Sequence, residues 1–359
     1  MRRIILLSIL IIALTAALII FLFEFNVKES FNKDFNIAVI ETTEQINESY
    51  LTFYSKDLKK VGSQKIELGS MGSSFDLPRL YGKNMYVIPK GIGNTKDLSV
   101  IMEYNMENGK YKTYDIKQHN MNSFSVDHTS IYTVNTLNYN SIISCYDKSS
   151  GKINTISIEK AYIERIDLYD DTLYAFGMLN DKNGVKAYLY LIDTKSFKIT
   201  DKIDISESGI SQYYSTKIGD NLYFSNQTEL SFKAEQPSKT LTKFNFKDKS
   251  ISNIHLKEEF PFQILNYKNK LIISHYDLVQ IKGNKITIYD PKNNEQQVVA
   301  LENNLAQIYI KDDKLYSMDR DYLYVYSIND SGFKLINKVD IHTKRGSKTF
   351  YYSAGFFVK

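Results

Sequence analysis

The sequence has no tryptophan and one cysteine, Cys145, in 359 residues. A single cysteine excludes any disulfide within the chain. It stands in the alternating run SIISCYD, which predicts a buried strand position for the thiol. A nucleophilic thiol would need a histidine and a base beside it, and the linear sequence places neither there. The lack of tryptophan removes the large aromatic face on which many sugar sites stack their ligand.

Motifs that would announce chemistry are also missing. There is no phosphate-cradling glycine loop, no paired CxxC and no HExxH. GxSxG is absent too; LGSMGSSF from Leu68 comes near, with its glycines wrongly spaced. The five histidines, His119, His128, His255, His275 and His342, show no metal-ligand spacing. NDKNGVKAY from Asn180 looks like part of a calcium loop, but no glutamate closes it, so it reads as a hairpin turn. No metal, cofactor or catalytic constellation is therefore expected. Apart from Arg2 and Arg3, which precede the first apolar run, 43 basic groups face 41 acidic ones. That near balance, with no basic stripe, gives no support to a nucleic-acid partner.

What is present begins with Ile4–Phe23, twenty residues without a charge. A helix of that length spans about 30 Å, the thickness of a hydrocarbon core. The small residues Ala13–Ala17 lie inside the run and are followed by more Leu, Ile and Phe, which disfavours a cleaved signal peptide. No cysteine follows closely enough for a lipoprotein. The expectation is an uncleaved transmembrane anchor at 4–23, a tail at 1–3 and a polar stalk at 24–36. Arg2 and Arg3 favour a cytoplasmic start and put the remainder outside the cell membrane, although Lys28 and Lys33 blunt that bias.

Past the stalk, one phrase recurs. It reads KNMYVIP, TSIYTVN, DTLYAFG, DNLYFSN, NKLIISH and DKLYSMD, with its marker residue at Tyr86, Tyr132, Tyr174, Tyr223, Ile272 and Tyr316. The steps are 46, 42, 49, 49 and 44 residues. A period in the forties built from strands predicts propeller blades. Each period also holds a second hairpin, such as IISCYDKSSGKINTISI from Ile142 or LTKFNFKDKSISNIHL from Leu241. The Leu-Tyr phrase reads as the start of an inner strand after a tight reversal, and its recurrence argues against reading DDxLY as a paired-carboxylate active site. Two orphan pieces remain. YLTFYSKDLKKVGSQKIEL from Tyr50, with NIAVIET ahead of it, lacks a partner at one end, and TFYYSAGFFVK at the carboxyl terminus reads as an inner-strand pair without an outer hairpin. Together they make a seventh blade. The 329 residues from position 31 onward give 47 per blade. The fold class is thus all-β: a seven-bladed β-propeller of four-stranded antiparallel blades over 37–359, closed by strands from both termini and preceded by one transmembrane helix.

This pattern resembles the seven-bladed propellers of the WD-repeat, YVTN and quinoprotein-like group, as found in bacterial extracytoplasmic proteins. The resemblance is one of architecture. The Trp-Asp dipeptide is absent, the Tyr-Val-Thr-Asn phrase survives only as IYTVNT at Ile131, and the tryptophan that stacks a quinone cofactor is missing. It implies a fold and little chemistry.

A site would lie where loops converge over one end of the ring. The longest loop is Ser225–Thr240, carrying Leu230 and Phe232. Tyr213, Tyr214, Phe262, His275, Tyr276, Asp319 and Arg320 complete the candidate face. The leading functional expectation is a non-enzymatic, membrane-anchored binding module that grips a protein or peptide partner. The alternatives are a hydrolase or lyase using carboxylates and His275 on the channel face, and a small-ligand sensor with a channel site.

Overall fold

The computed structural model describes residues 30–359 apart from 73–75, 93–95, 182–183, 231–235, 330–331 and 343–347. The apolar run at 4–23 lies outside the described residues, as does the stalk up to residue 29. Among the described residues no helix is long and apolar enough to cross a membrane. Their one helical element is the 3-10 turn Ser206–Ser208.

Seven four-stranded antiparallel sheets form the ring. Blade 1 takes three strands from the amino-terminal side, Ile37–Thr42, Ser49–Tyr54 and Lys60–Ile66, and its innermost strand, Tyr352–Val358, from the carboxyl end. Blades 2 to 7 follow in chain order, with innermost strands Arg79–Tyr81, Met121–Val126, Ala161–Tyr169, Ser215–Ile218, Pro261–Tyr267 and Gln307–Lys311. The closure pairs Ile37 with Val358 and Thr42 with Tyr352, so both termini share one ladder and no edge faces the channel there. The carboxyl segment therefore supplies one strand, and not the pair its sequence suggests. Thr349, Phe350 and Tyr351 precede that strand.

The recurring phrase occupies the second strand of blades 2 to 7, the return strand of the inner hairpin after its tight reversal. That strand is packed on both faces, and the Leu-Tyr dipeptide serves one face each. Leu222 belongs to the cluster between blades 4 and 5, and Tyr223 to the cluster between blades 5 and 6. The same split holds for Leu173 and Tyr174 in blade 4 and for Leu315 and Tyr316 in blade 7. A period-2 strand sends successive side chains to opposite faces. Every blade thus needs one residue for the blade before it and one for the blade after. Each such side chain, fully buried, contributes about 1.5–3 kcal/mol.

The reversal ahead of the phrase requires left-handed backbone. Asp312 and Asp313 sit at φ 50° and 55°, and Gly219 at 56°. Tight hairpins that match the sheet twist demand such angles, which accounts for Gly-Asp, Asp-Asp and Lys-Asn in the repeat.

Strand direction assigns two faces. Turns between first and second strands, and between third and fourth, lie on a base face. Turns between second and third strands, together with the blade-to-blade connections, lie on the opposite face, here called the mouth face. The chain arrives at the base face, where the Asn32 side chain donates to the Val61 carbonyl and Lys359 N–H donates to the Asn36 carbonyl. The second half of the expected stalk is part of the body. Phe35 is buried, with its ring 4.8 Å from that of Phe53, and Phe31 meets Phe53 edge-on at 5.8 Å. Two aromatic rings bury too much apolar area to remain in a solvated linker.

Candidate functional site

The channel is blocked near its mouth. In the connection from blade 1 to blade 2, Leu77 packs against Tyr214 of the blade 5 approach and Phe262 and Tyr276 of blade 6. Pro78 lies beside Gly355 on the blade 1 side, where an added Cβ would stand 3.1 Å from the proline Cδ. Residues 76–78 thus cross the ring and give the mouth a floor.

Beneath that floor lies a buried charged cluster. Asp167 Oδ1 accepts from Arg79 Nη1 and Arg165 Nε, both at 2.9 Å, and Oδ2 accepts from Ser215 Oγ at 2.6 Å. Arg79 also donates to Ser125 Oγ at 2.8 Å and to the Ile166 carbonyl at 3.1 Å. The Arg165 guanidinium lies 4.7 Å from the Tyr214 ring centre, a cation–π arrangement. Burial alone would raise the Asp167 carboxyl, but Arg165 and Arg79 hold it below the ordinary range. Asp76 is buried at 1% exposure, and burial pushes its carboxyl up to about 6 against the pull of Arg79 and Arg165. The cluster ties blades 2, 3, 4 and 5 together.

Amide girdles tie the rest. Gln307 donates from Nε2 to the Phe356 carbonyl at 2.7 Å, and its Oε1 accepts the Phe356 N–H at 2.8 Å. Gln263 Oε1 accepts the Ile308 N–H at 2.6 Å, an equivalent bond one blade earlier. These bonds join neighbouring innermost strands across the gaps where blades lack ladder pairing.

Above the floor two cavities share Glu44 as a wall. One, of about 460 Å³, is bounded by Ser70, Lys90, Asn122, Tyr162, Glu164 and Tyr213. The other, of about 820 Å³, is bounded by Leu77, Tyr276, Ile281, Asp319, Arg320 and Phe350. Around them the mouth face is rich in exposed apolar groups: Ile46, Leu137, Tyr139, Tyr162, Val279, Ile281 and Phe350. The base face and outer rim hold fewer, namely Tyr81, Tyr111, Ile199 and Ile336. Tyr139 and Ile281 also carry positive φ, 62° and 54°. Bulky or β-branched residues avoid that region.

The sequence-nominated residues separate into groups. Tyr213, Tyr276, Asp319 and Arg320 border the mouth cavities. Tyr214 and Phe262 are buried in the cluster around Leu77, and so is all but the cavity-facing edge of Tyr276. Asp319 braces its own turn, accepting the N–H groups of Asp321 and Tyr322 and the Tyr324 hydroxyl. His275 is not on the channel face. It lies on the second strand of blade 6, with Nδ1 2.8 Å from the Glu259 carbonyl and Nε2 2.7 Å from Thr287 Oγ1. Burial lowers its pKa to about 4, so it stays neutral as a strap between strands. Leu230 lies on the mouth face, in the turn between the second and third strands of blade 5, and packs at the outer side of blades 4 and 5. Phe232 lies outside the described residues. Cys145 is half-buried, and burial pushes its thiol pKa up, which lowers its reactivity. Among the described residues no three His, Cys, Asp or Glu side chains converge to hold a metal ion.

Solved structures share this architecture. A putative 6-phosphogluconolactonase from Bacteroides uniformis superposes with a TM-score of 0.59 at 12% identity, covering 90% of this chain and 99% of that one. A functionally unknown protein from Desulfotomaculum acetoxidans gives 0.56 at 14%, covering 90% and 98%. The WD40 domain of Neurospora crassa Pan2 gives 0.53 at 9%, covering 79% and 86%. At such identities the likeness establishes the propeller fold and carries no activity across. No family model and no curated protein matches the sequence.

Proposed function

We propose that the protein is a non-enzymatic binding module, anchored in the cell membrane through residues 4–23, with its propeller outside the cell and its mouth face presented to a protein or peptide partner. The observation that carries this reading is the sorting of exposed apolar side chains. Tyr139 is 80% exposed, Val279 86%, Ile281 68% and Phe350 61%, all on the mouth face. Apolar groups gathered around a concavity are the usual mark of an interaction surface. The route of the chain agrees with an anchor. It meets the propeller at the base face, so a membrane segment ahead of residue 30 would leave the mouth pointing away from the bilayer.

The test is purification of the tagged full chain from its native membranes. Ile281→Ser and Phe350→Ser should each lose a stoichiometric partner, while the base-face and rim variants Tyr81→Ser and Tyr111→Ser keep it. A partner retained by all four variants, or no partner with the unaltered chain, would refute the reading.

A further inference from the structure

The two mouth cavities meet at Glu44, and their charged lining is unequal. Glu44, Glu164, Asp319 and Asp321 face Lys90 and Arg320. Elsewhere carboxylates are matched by lysines, as in Lys195–Asp171 and Lys247–Asp220 on the base face and Lys285–Glu258 and Lys186–Asp204 on the mouth face, and Asp321 itself meets His342. Among the described residues Glu44 has no ion-pair partner, and the Tyr352 hydroxyl donates to it over a long 3.4 Å. It is exposed and sits in the turn between the second and third strands of blade 1. Apolar groups flank it on both sides. Phe350 and Ile281 border the larger cavity, and Tyr162 and Tyr213 the smaller one. An acidic centre between two apolar or aromatic walls complements a cation carried between apolar neighbours.

Resting on the binding reading above, we infer that the mouth receives an extended peptide segment with a basic side chain flanked by apolar or aromatic residues. The ammonium or guanidinium group lies against Glu44. Its neighbours lie against Phe350 and Ile281 on one side and against Tyr162 and Tyr213 on the other. The carboxylate selects charge, and the two walls supply contact area at fixed positions. In an extended segment alternate side chains share a face, so a single pass across the mouth can place all three groups.

The experiment pans a random dodecapeptide display library against the full chain in lipid nanodiscs, with empty nanodiscs as the counter-selection. Wild type should enrich peptides with Lys or Arg between apolar residues. Glu44→Gln should abolish the basic preference and weaken a selected peptide about tenfold. Its unfolding midpoint should not change, because Glu44 is exposed and forms no ion pair among the described residues. Tyr162→Ala, a second exposed position, should weaken the same peptide while leaving its basic residue preferred. Peptides enriched without basic residues, or a basic preference that survives Glu44→Gln, would overturn this inference and leave the binding reading standing. No enrichment over empty nanodiscs would overturn both.

Discussion

Replacing Asp167 by alanine should unfold the propeller far more readily than its single charge suggests. The carboxylate accepts from two guanidinium groups and one hydroxyl, all within 2.9 Å, and its side chain is 5% exposed. Its removal leaves Arg79 and Arg165 buried with Asp76 as a remaining electrostatic counter-charge. Breaking a buried ion pair by deleting one partner costs about 3–5 kcal/mol, most of it the penalty of the abandoned charge. The exposed pair Lys195–Asp171, with side chains 76% and 66% exposed, supplies the contrast: Asp171→Ala should cost under about 1 kcal/mol. Equilibrium urea unfolding followed by circular dichroism or tyrosine fluorescence suits a chain with 28 tyrosines and no tryptophan. The triple variant Asp167→Leu, Arg79→Met, Arg165→Met should recover much of the loss, because no charge is then buried. A loss below about 1 kcal/mol for Asp167→Ala, or a triple variant as unstable as the single one, would refute the reasoning.

Four further outcomes follow from the structure. Asp76, raised to about 6, holds a proton in the folded state that the unfolded chain has already released, so its contribution falls as pH rises from about 4 to 6. His275, lowered to about 4, refuses a proton that the unfolded chain accepts, so its contribution falls as pH drops from about 6.5 to 4. The two oppose each other across this window, and Asp76→Asn should expose a steeper acid loss, with up to about 3 kcal/mol gained at pH 7, read by urea unfolding at stepped pH. Leu222→Ala empties a fully buried place between blades 4 and 5 and should cost about 2–5 kcal/mol, measured the same way. Gly219→Ala meets no atom within 4 Å, yet should still cost about 1–2 kcal/mol because its φ is +56°. Gln307→Leu removes both amide bonds to Phe356 and should loosen the closure strand, seen as faster hydrogen exchange at Tyr352–Val358 before any global loss.

The ring was legible in the sequence because its period is local. Leu222 and Tyr223 must face different blades, so each blade repeats the phrase at its own position along the chain. The orphan ends announced the closure for the same reason, since Ile37–Thr42 and Tyr352–Val358 are each half of a known unit. The floor of the mouth carried no such period. Leu77 meets blades 5 and 6 from a connection that occurs once, and no repeat predicts a residue that does not repeat. Arg79 and Asp167 are 88 positions apart and meet only because the ring curves. One signal was available: the chain has six arginines among its 45 basic residues, and a lysine-rich chain that spends arginine at Arg79 and Arg165 marks places for fixed, branched ion pairs. In the sequence His275 reads as a channel-face residue, whereas it lies on the second strand of blade 6 with its two ring nitrogens against the Glu259 carbonyl and Thr287 Oγ1.

The central claim is that the mouth face, and not the base face, meets the partner. The direct measurement is site-specific photocrosslinking in intact membranes, with the photoreactive residue placed at Tyr139 or Phe350 on the mouth face and at Tyr81 or Ile336 away from it. All four are exposed, so each variant should fold and report. The account predicts one discrete adduct from Tyr139 and Phe350, competed by an enriched basic peptide, and none from the other two. An adduct from Tyr81 or Ile336 alone would contradict it and move the functional surface to the base or rim of the ring.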